Sequence, residues 1–190
     1  FRYDPDQDSW RQLADIPLGS TNKKGKGGSD IVFINNQGQD PDYLYLLKGG
    51  RNEFWRYDIV GDSWKAMPSA PLGTSGKDKY DKGSWLVERR LPRQGPRVIY
   101  CHKAKYHELF VFDTEADTWL SGQLAGMPFL GSTGKSKKSK DGGSGASLGD
   151  YIYALKGGNT QEFWQYDVVL DSWHEAEPLP LLGSSGKSKK

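Results

Sequence analysis

A lysine-bearing segment occurs four times in the chain, with the order Leu, Gly, two Ser or Thr residues, Gly or Asn, and Lys; the copies begin at Leu18, Leu72, Leu130 and Leu182. Similar segments repeated around one axis would bring their ammonium groups together, and such a convergence attracts phosphate, sulfate or carboxylate groups. Backbone N–H groups could add hydrogen bonds, as could the hydroxyls of Ser20, Thr74, Ser132 and Ser184. The segments predict an anion- or partner-binding rim of Lys23, Lys24, Lys77, Lys79, Lys135, Lys137 and Lys138, with Lys26, Lys82 and Lys140 beside them.

The alternative interpretation of these lysines is that they only keep exposed loops soluble, because runs of charge usually lie in solvent. Their Gly-Lys-Ser sequences do not match the phosphate loop of nucleotide hydrolases, since the spacing between glycines is wrong and no helix is expected to follow. The net charge is only +2. The prediction of an anionic partner therefore depends on the local concentration of lysine.

Aspartates recur where tight turns are expected. Asp4, Asp6 and Asp8 alternate as in a calcium loop, but the glycine and the distant glutamate of that motif are absent. We therefore expect these side chains to accept hydrogen bonds within a turn. The same role is predicted for three further aspartates that follow an aromatic residue, namely Asp58, Asp113 and Asp167.

The only group of side chains that resembles a metal or radical site is Tyr100 and Cys101, with His102 and His107 close by. Neighbouring residues of a strand point to opposite faces, which argues against a joined tyrosine and cysteine. His174, the remaining histidine, is a repeat away. No Ser-His-Asp order stands out either, so we predict no catalytic residue, no metal ligand and no cofactor.

The elements that must position the lysines also repeat. An aromatic residue and Asp are followed about six residues later by Trp, and the closing tryptophans Trp10, Trp64, Trp119 and Trp173 are 54, 55 and 54 residues apart. This period is typical of propeller blades and too long for leucine-rich, ankyrin or tetratricopeptide repeats. We expect the three later tryptophans to be mostly buried between the repeating units.

Composition favours an all-β chain. Aromatic residues make up 13%, there are 24 glycines, and the mean hydropathy is -0.74, which suits short strands and tight turns. Cys101 is the only cysteine, so an intrachain disulfide is excluded. No run of 18 apolar residues occurs, so we expect no membrane-spanning helix.

The repeats divide the sequence into units. We predict the outer half of a blade at 1–18, blades at 19–72, 73–130 and 131–182, and the start of a further repeat at 183–190. The residues are therefore interpreted as a piece of a longer polypeptide. The third unit contains a basic, proline-broken stretch, Glu88–Arg97, that we expect to protrude as a loop and to present Arg89, Arg90 and Arg93 to a partner.

A strand ending in Gly-Gly (Gly49-Gly50 and Gly157-Gly158), the aromatic-Asp pair and the later Trp together resemble the kelch repeat. The resemblance implies four-stranded antiparallel blades around an axis, and it is most similar to kelch arrays of bacterial or archaeal surface proteins, which implies an extracellular or cell-surface location. Kelch wheels usually have six or seven blades. The predicted fold is thus an all-β, kelch-like β-propeller of about three and a half blades, part of a larger or oligomer-completed wheel.

These observations favour a non-catalytic binding or structural module. Its loops would face a protein partner, further blades or copies of the same protein, or an anionic polymer such as a polysaccharide. The alternative is the propeller domain of an oxidase or glycan-active enzyme whose catalytic residues lie partly outside these residues.

Overall fold

The regular secondary structure of the described residues is almost entirely antiparallel β-sheet. The structure is a computed structural model, and it describes residues 1–35, 41–90 and 95–182. The strands are β1 Arg2–Asp4, β2 Ser9–Arg11, β3 Asp30–Ile34, β4 Tyr43–Lys48, β5 Glu53–Asp58, β6 Ser63–Met67, β7 Trp85–Arg90, β8 Arg97–Lys103, β9 Glu108–Asp113, β10 Thr118–Trp119, β11 Ser144–Leu148, β12 Tyr151–Leu155, β13 Phe163–Asp167 and β14 Ser172–Ala176. A single helical turn, η1, spans Ala104–Tyr106.

Four sheets follow one another along the chain. A two-stranded sheet, β1-β2, is the half-blade, and three four-stranded sheets in sequence order are blade 2 (β3–β6), blade 3 (β7–β10) and blade 4 (β11–β14). Within each blade every strand pairs antiparallel with the next. The innermost strands β3, β7 and β11 lie next to one another. The predicted all-β fold class of four-stranded, propeller-like blades is confirmed. No helix in the described residues is long and apolar enough to cross a membrane.

Aspartate makes the turn between the third and fourth strand of each unit. In blade 2, the Asp58 carboxylate accepts hydrogen bonds from the backbone N–H groups of Val60 and Gly61, both at 2.9 Å. Asp4, Asp113 and Asp167 make the same pair of bonds. The predicted turn chemistry is confirmed for these four aspartates, whose short side chains bond to the backbone two and three residues ahead. Asp8 instead accepts a hydrogen bond from the Tyr3 hydroxyl.

Apolar side chains join the blades face to face. We call the face of a blade that packs on the next blade its front face, and the opposite face its back face. The front face of blade 2, with Tyr45 and Phe54, meets the back face of blade 3, with Phe112. The front face of blade 3 meets the back face of blade 4 in the same manner, so that Tyr100 contacts Tyr166. Two continuous aromatic cores thus hold three blades together.

The closing tryptophans fasten each blade to the preceding connection. Trp64, Trp119 and Trp173 are partly buried. Their indole N–H groups donate to the carbonyls of Ala14, Pro68 and Ala125, at 3.1, 2.8 and 2.8 Å. Trp10, by contrast, is 69% exposed. The expectation that the three later tryptophans lie between units is confirmed, although each keeps some contact with solvent.

The basic stretch of blade 3 is not a single loop. Arg89 and Arg90 belong to β7, and Arg97 belongs to β8, where it pairs with Arg90. Arg89 is only 6% exposed and forms an ion pair with Asp150 of blade 4 at 3.1 Å. The expectation of a protruding loop over Glu88–Arg97 is therefore wrong at both ends, because acidic neighbours let these cations lie within the sheet. Arg93 and the predicted repeat start at 183–190 lie outside the described residues.

Candidate anion-binding site

A buried lysine lies at the end of the second strand in blades 2 and 3, and directly after it in blade 4. Lys48, Lys103 and Lys156 are at most 1% exposed. The ammonium group of Lys48 lies 2.6 Å from the Glu53 carboxylate and 2.6 Å from the carbonyl of Leu18. Because a buried cation must be paired and hydrogen-bonded, this lysine fixes the lysine-bearing connection against the sheet.

The paired glutamates bind the hydroxyls of the repeated segments. The hydroxyl of Thr21 donates to Glu53 at 2.9 Å, and that of Thr74 donates to Glu108 at 2.7 Å. Thr133 donates to Glu162 at 2.9 Å. Burial alone would raise the pKa of Glu53, but the hydrogen bonds from Lys48 and Thr21 outweigh it, so the pKa is lowered and the carboxylate stays charged.

The prediction that these hydroxyls help to bind an anion is corrected by the contacts with glutamate. Ser20 and Thr74 face Glu53 and Glu108, and Ser132 donates to Glu175 at 2.7 Å. The same glutamates explain why Gly is the second residue of the repeated segments. A Cβ at Gly19 or Gly73 would lie 2.7 or 2.4 Å from a carboxylate oxygen. Ser184 lies outside the described residues.

The lysine ammonium groups have a different environment from the hydroxyls. A cleft of about 390 Å³ is lined by six cationic side chains and a single carboxylate, that of Asp81; the cations are Lys23, Lys24, Lys26, Arg51, Lys79 and Lys82. These residues come from the connection before β3, the turn after β4 and the connection before β7. The structure thus brings together three lysines of the predicted rim, Lys23, Lys24 and Lys79, and places the predicted Lys26 and Lys82 beside them.

A second cleft adjoins the first through Asp81 and Lys82. It measures about 340 Å³, and its other lining residues are Lys105, Lys138, Ser139, Lys140 and Asp141. Lys82 pairs with Asp141 at 3.1 Å, and Lys79 pairs with Asp81 at 2.8 Å. The hydrogen bond to Asp81 raises the pKa of Lys79. We call the two adjoining clefts the basic groove.

Lysines from three connections share the basic groove. The connections before β3 and β7 supply the five that line the first cleft: Lys23, Lys24, Lys26, Lys79 and Lys82. The connection before β11 adds Lys138 and Lys140 in the second cleft, which makes seven of the ten. The starts of β3, β7 and β11 also line a common depression near Gly28, Gly83 and Gly143. The predicted convergence of the connections toward the inner strands therefore has a structural counterpart.

The remaining predicted residues lie elsewhere. Lys77, Lys135 and Lys137 are exposed and line neither cleft of the basic groove. Arg89 and Arg90 are at the far end of β7 from Lys82, and a six-residue strand is about 20 Å long. The predicted arginines and lysines therefore do not form one site in the described part of the chain.

Two cations of the basic groove were missed by the sequence reasoning. Arg51 follows the Gly49-Gly50 turn, and Lys105 occupies the matching turn of blade 3. The N–H group of Gly50 donates to the carbonyl of Tyr80 at 2.6 Å, which places this turn against the connection before β7. A basic residue just after the second strand is the signal that could have revealed both.

The tyrosine-cysteine pair is part of the core. Tyr100 belongs to the core between blades 3 and 4, whereas Cys101 belongs to the core between blades 2 and 3, as the alternation of a strand requires. Burial raises the pKa of the Cys101 thiol, so the thiol stays protonated. Among the described residues, no three His, Cys, Asp or Glu side chains are grouped so that they could hold a metal ion.

Comparison with known proteins adds little to these observations. No family model matches the chain, and no curated protein matches it. A solved structure titled "Structure of YjhT" is 12% identical over 80% of this chain and 49% of that chain, with a TM-score of 0.41. The chain therefore spans about half the length of that protein. A similarity at this level supports no assignment of fold or function. The fold assignment depends on the sheets described above.

Proposed function

We propose that the chain is a non-catalytic binding module of kelch-like repeats, whose basic groove binds an anionic polymer such as a sulfated or carboxylated polysaccharide. The observation that supports this proposal is the first cleft, whose lining has six cations from three separate segments and one carboxylate. Three of the cations have acidic partners, because Arg51, Lys79 and Lys82 pair with Asp78, Asp81 and Asp141. Lys23, Lys24 and Lys26 form no ion pair with any described residue and leave the cleft with excess positive charge. Cations held by a folded scaffold create a focused potential that dispersed lysines do not. An extracellular or cell-surface location is part of the same proposal.

The shape of the basic groove favours a polymer over a single small anion. Its two clefts adjoin at Asp81 and Lys82, so a ligand could contact cations from the connections of blades 2, 3 and 4 in succession. The ion pairs that Lys79 and Lys82 make with Asp81 and Asp141 are exposed, and exposed pairs contribute only about 0–1 kcal/mol. An incoming sulfate or carboxylate can therefore replace these partners at small cost.

Binding to a heparin-like polymer tests the proposal. Lys23, Lys24 and Lys79 are changed together to Ala, and the matched control changes Lys77, Lys135 and Lys137 to Ala, so that both variants lose the same charge. We expect the first variant to lose most of its affinity and the control to retain it. Equal losses would show that only net charge matters, and no binding by the unchanged protein would refute the proposed function.

A further inference from the structure

The front face of blade 4 has the arrangement of a face that another blade covers. Tyr153 and Phe163 stack with their ring centres 5.7 Å apart and an interplanar angle of 22°. Their counterparts in blade 2, Tyr45 and Phe54, stack at 5.7 Å and 28°, and each is 1% exposed because blade 3 covers it. Tyr153 and Phe163 are only partly buried. The stacked pair therefore forms with no covering blade among the described residues, and both rings keep exposed surface.

The back face of the half-blade has the complementary arrangement. Phe1, Tyr3 and Trp10 are 79%, 42% and 69% exposed. The Tyr3 hydroxyl donates to Asp8 at 2.6 Å, just as the Tyr57 hydroxyl of blade 2 donates to Asp62 at 2.5 Å. The half-blade thus presents the ring, carboxylate and indole that blades 2 and 4 use to contact a preceding unit. No other sheet of the described residues covers them.

Two polar bonds recur where one unit meets the next. In blade 2, the indole N–H of Trp64 donates to the carbonyl of Ala14, and the N–H of Ala14 donates to Asp62 at 2.8 Å. Ala125 makes the same two bonds with blade 4, to Trp173 and Asp171. At these two junctions one residue of the preceding unit thus offers both its carbonyl and its N–H group.

Glu177 holds the corresponding place after blade 4. Leu179, two residues later, donates its N–H to the carbonyl of Gln161 at 2.9 Å. Met127, two residues after Ala125, likewise donates to the carbonyl of His107 at 3.1 Å. Because Glu177 is not proline, its backbone has both the N–H group and the carbonyl that Ala14 and Ala125 use at their junctions.

We infer that the back face of the half-blade docks on the front face of blade 4 of a second copy of this chain. Trp10 would then donate to the carbonyl of Glu177, the N–H of Glu177 would donate to Asp8, and the rings of Tyr3 and Trp10 would cover Tyr153. The proposed contact would use the same kinds of residue as the interfaces between blades 2 and 3 and between blades 3 and 4. The two surfaces differ, so the contact is head-to-tail and leads to a ring or a filament rather than to a two-fold dimer.

A complementation experiment tests this inference. Trp10→Glu disables only the back face, and Tyr153→Glu disables only the front face. Sedimentation over a concentration series should show association of the unchanged protein and monomers for each variant alone. An equimolar mixture of the two variants should form a 1:1 dimer, because one intact face of each kind remains. The control is Val60→Glu, at an 85% exposed position in a turn, which should associate like the unchanged protein.

Several results would overturn the inference. They are a monomeric unchanged protein at all concentrations, a mixture that stays monomeric, or a Val60→Glu control that also dissociates. Circular dichroism and melting of each variant establish that it is folded. If either glutamate variant does not fold, Trp10→Ser and Tyr153→Ser replace the pair, with the same outcomes expected.

Discussion

At the scale of single residues, the buried Lys–Glu pairs are the main finding that the sequence did not reveal. Lys156 and Glu162 are both at most 1% exposed and lie 2.5 Å apart. The lysine also donates to the carbonyl of Phe129, and the glutamate accepts from Thr133. The pair thus joins the sheet of blade 4 to the connection before it. These bonds fix the path of the connection's backbone.

Removing one partner of that pair should be costly. Glu162→Ala leaves the Lys156 ammonium buried without its counter-ion, so we expect the free energy of unfolding to fall by about 3–5 kcal/mol. Urea unfolding measures the loss. The control Glu115→Ala alters an exposed turn residue and should change stability by no more than about 0.5 kcal/mol. Equal effects of the two changes would contradict the structural role of the pair.

Histidine protonation should limit stability in acid. Burial and the neighbouring His107 lower the pKa of His102 to about 3, and burial lowers that of His107 to about 4. In the unfolded chain a histidine titrates near 6.5. Below that pH the unfolded state binds more protons, so the stability present at neutral pH is lost as the pH falls toward these lowered values. Each histidine contributes a slope of up to about 1.4 kcal/mol per pH unit.

His102→Leu tests the pH dependence. The other blades carry Leu47 and Leu155 at this position, so leucine should fit the core. We expect the variant to lose less stability than the unchanged protein between pH 6.5 and 4 in denaturant titrations. The control is Leu120→Ala, at a 44% exposed position without a titratable group, and it should leave the pH profile unchanged. An unaltered profile for His102→Leu would contradict the account.

At the scale of elements, each blade is fixed to the preceding one by an indole bond and an aspartate. The aspartate bond differs at the junction of blades 2 and 3, where Pro68 stands in place of Ala14 and Ala125. Pro68 has no N–H group, and Asp117 of blade 3 therefore lacks the backbone donor that its counterparts have. Asp117 instead pairs with Arg56 at 3.0 Å. Phe112 also lacks the hydroxyl of Tyr57 and Tyr166. The Lys65 ammonium group lies 3.3 Å from Asp117 as well, so Arg56 and Lys65 together replace the two missing donors.

Substitutions of Trp119 test the joining of blades 2 and 3. Trp119→Phe removes the bond to the Pro68 carbonyl, so we expect a loss of about 1 kcal/mol in unfolding free energy. Trp119→Ala also removes ring contacts with Phe54 and Phe112, and should cost about 3 kcal/mol. Leu120→Ala, at the neighbouring 44% exposed position, is the control, and an effect as large as that of Trp119→Ala would contradict this role.

Much of the fold could be predicted because its signals are local. The Asp turns, the strand periods and the Trp spacing each depend on residues close together in sequence, and the structure confirms them. The contacts of the Ser and Thr hydroxyls could not be predicted in the same way, because Thr74 meets Glu108 across 34 residues. Arg89 was misplaced for the same reason, since its partner Asp150 is 61 residues away.

At the scale of the whole molecule, the sheets bring the lysine connections together at one end of the inner strands. The aromatic cores fix the blades relative to one another, and the buried Lys–Glu pairs fix each connection to its blade. The hydroxyl repeat is explained by this framework. This framework does not explain the surface lysines of the basic groove, because their ammonium groups have no part in either core.

The salt dependence of polyanion binding is the most direct test of this account. When lysines displace counter-ions from a polyanion, the logarithm of the binding constant falls linearly with the logarithm of salt concentration, with a slope of roughly 0.9 per contacted phosphate on duplex DNA. Affinity for duplex DNA, as a probe of regular charge, is measured at several salt concentrations. The account predicts a steep slope that decreases by about two to three in the Lys23, Lys24 and Lys79 triple variant, and remains unchanged in the Lys77, Lys135 and Lys137 control. Equal slopes for the two variants would contradict it.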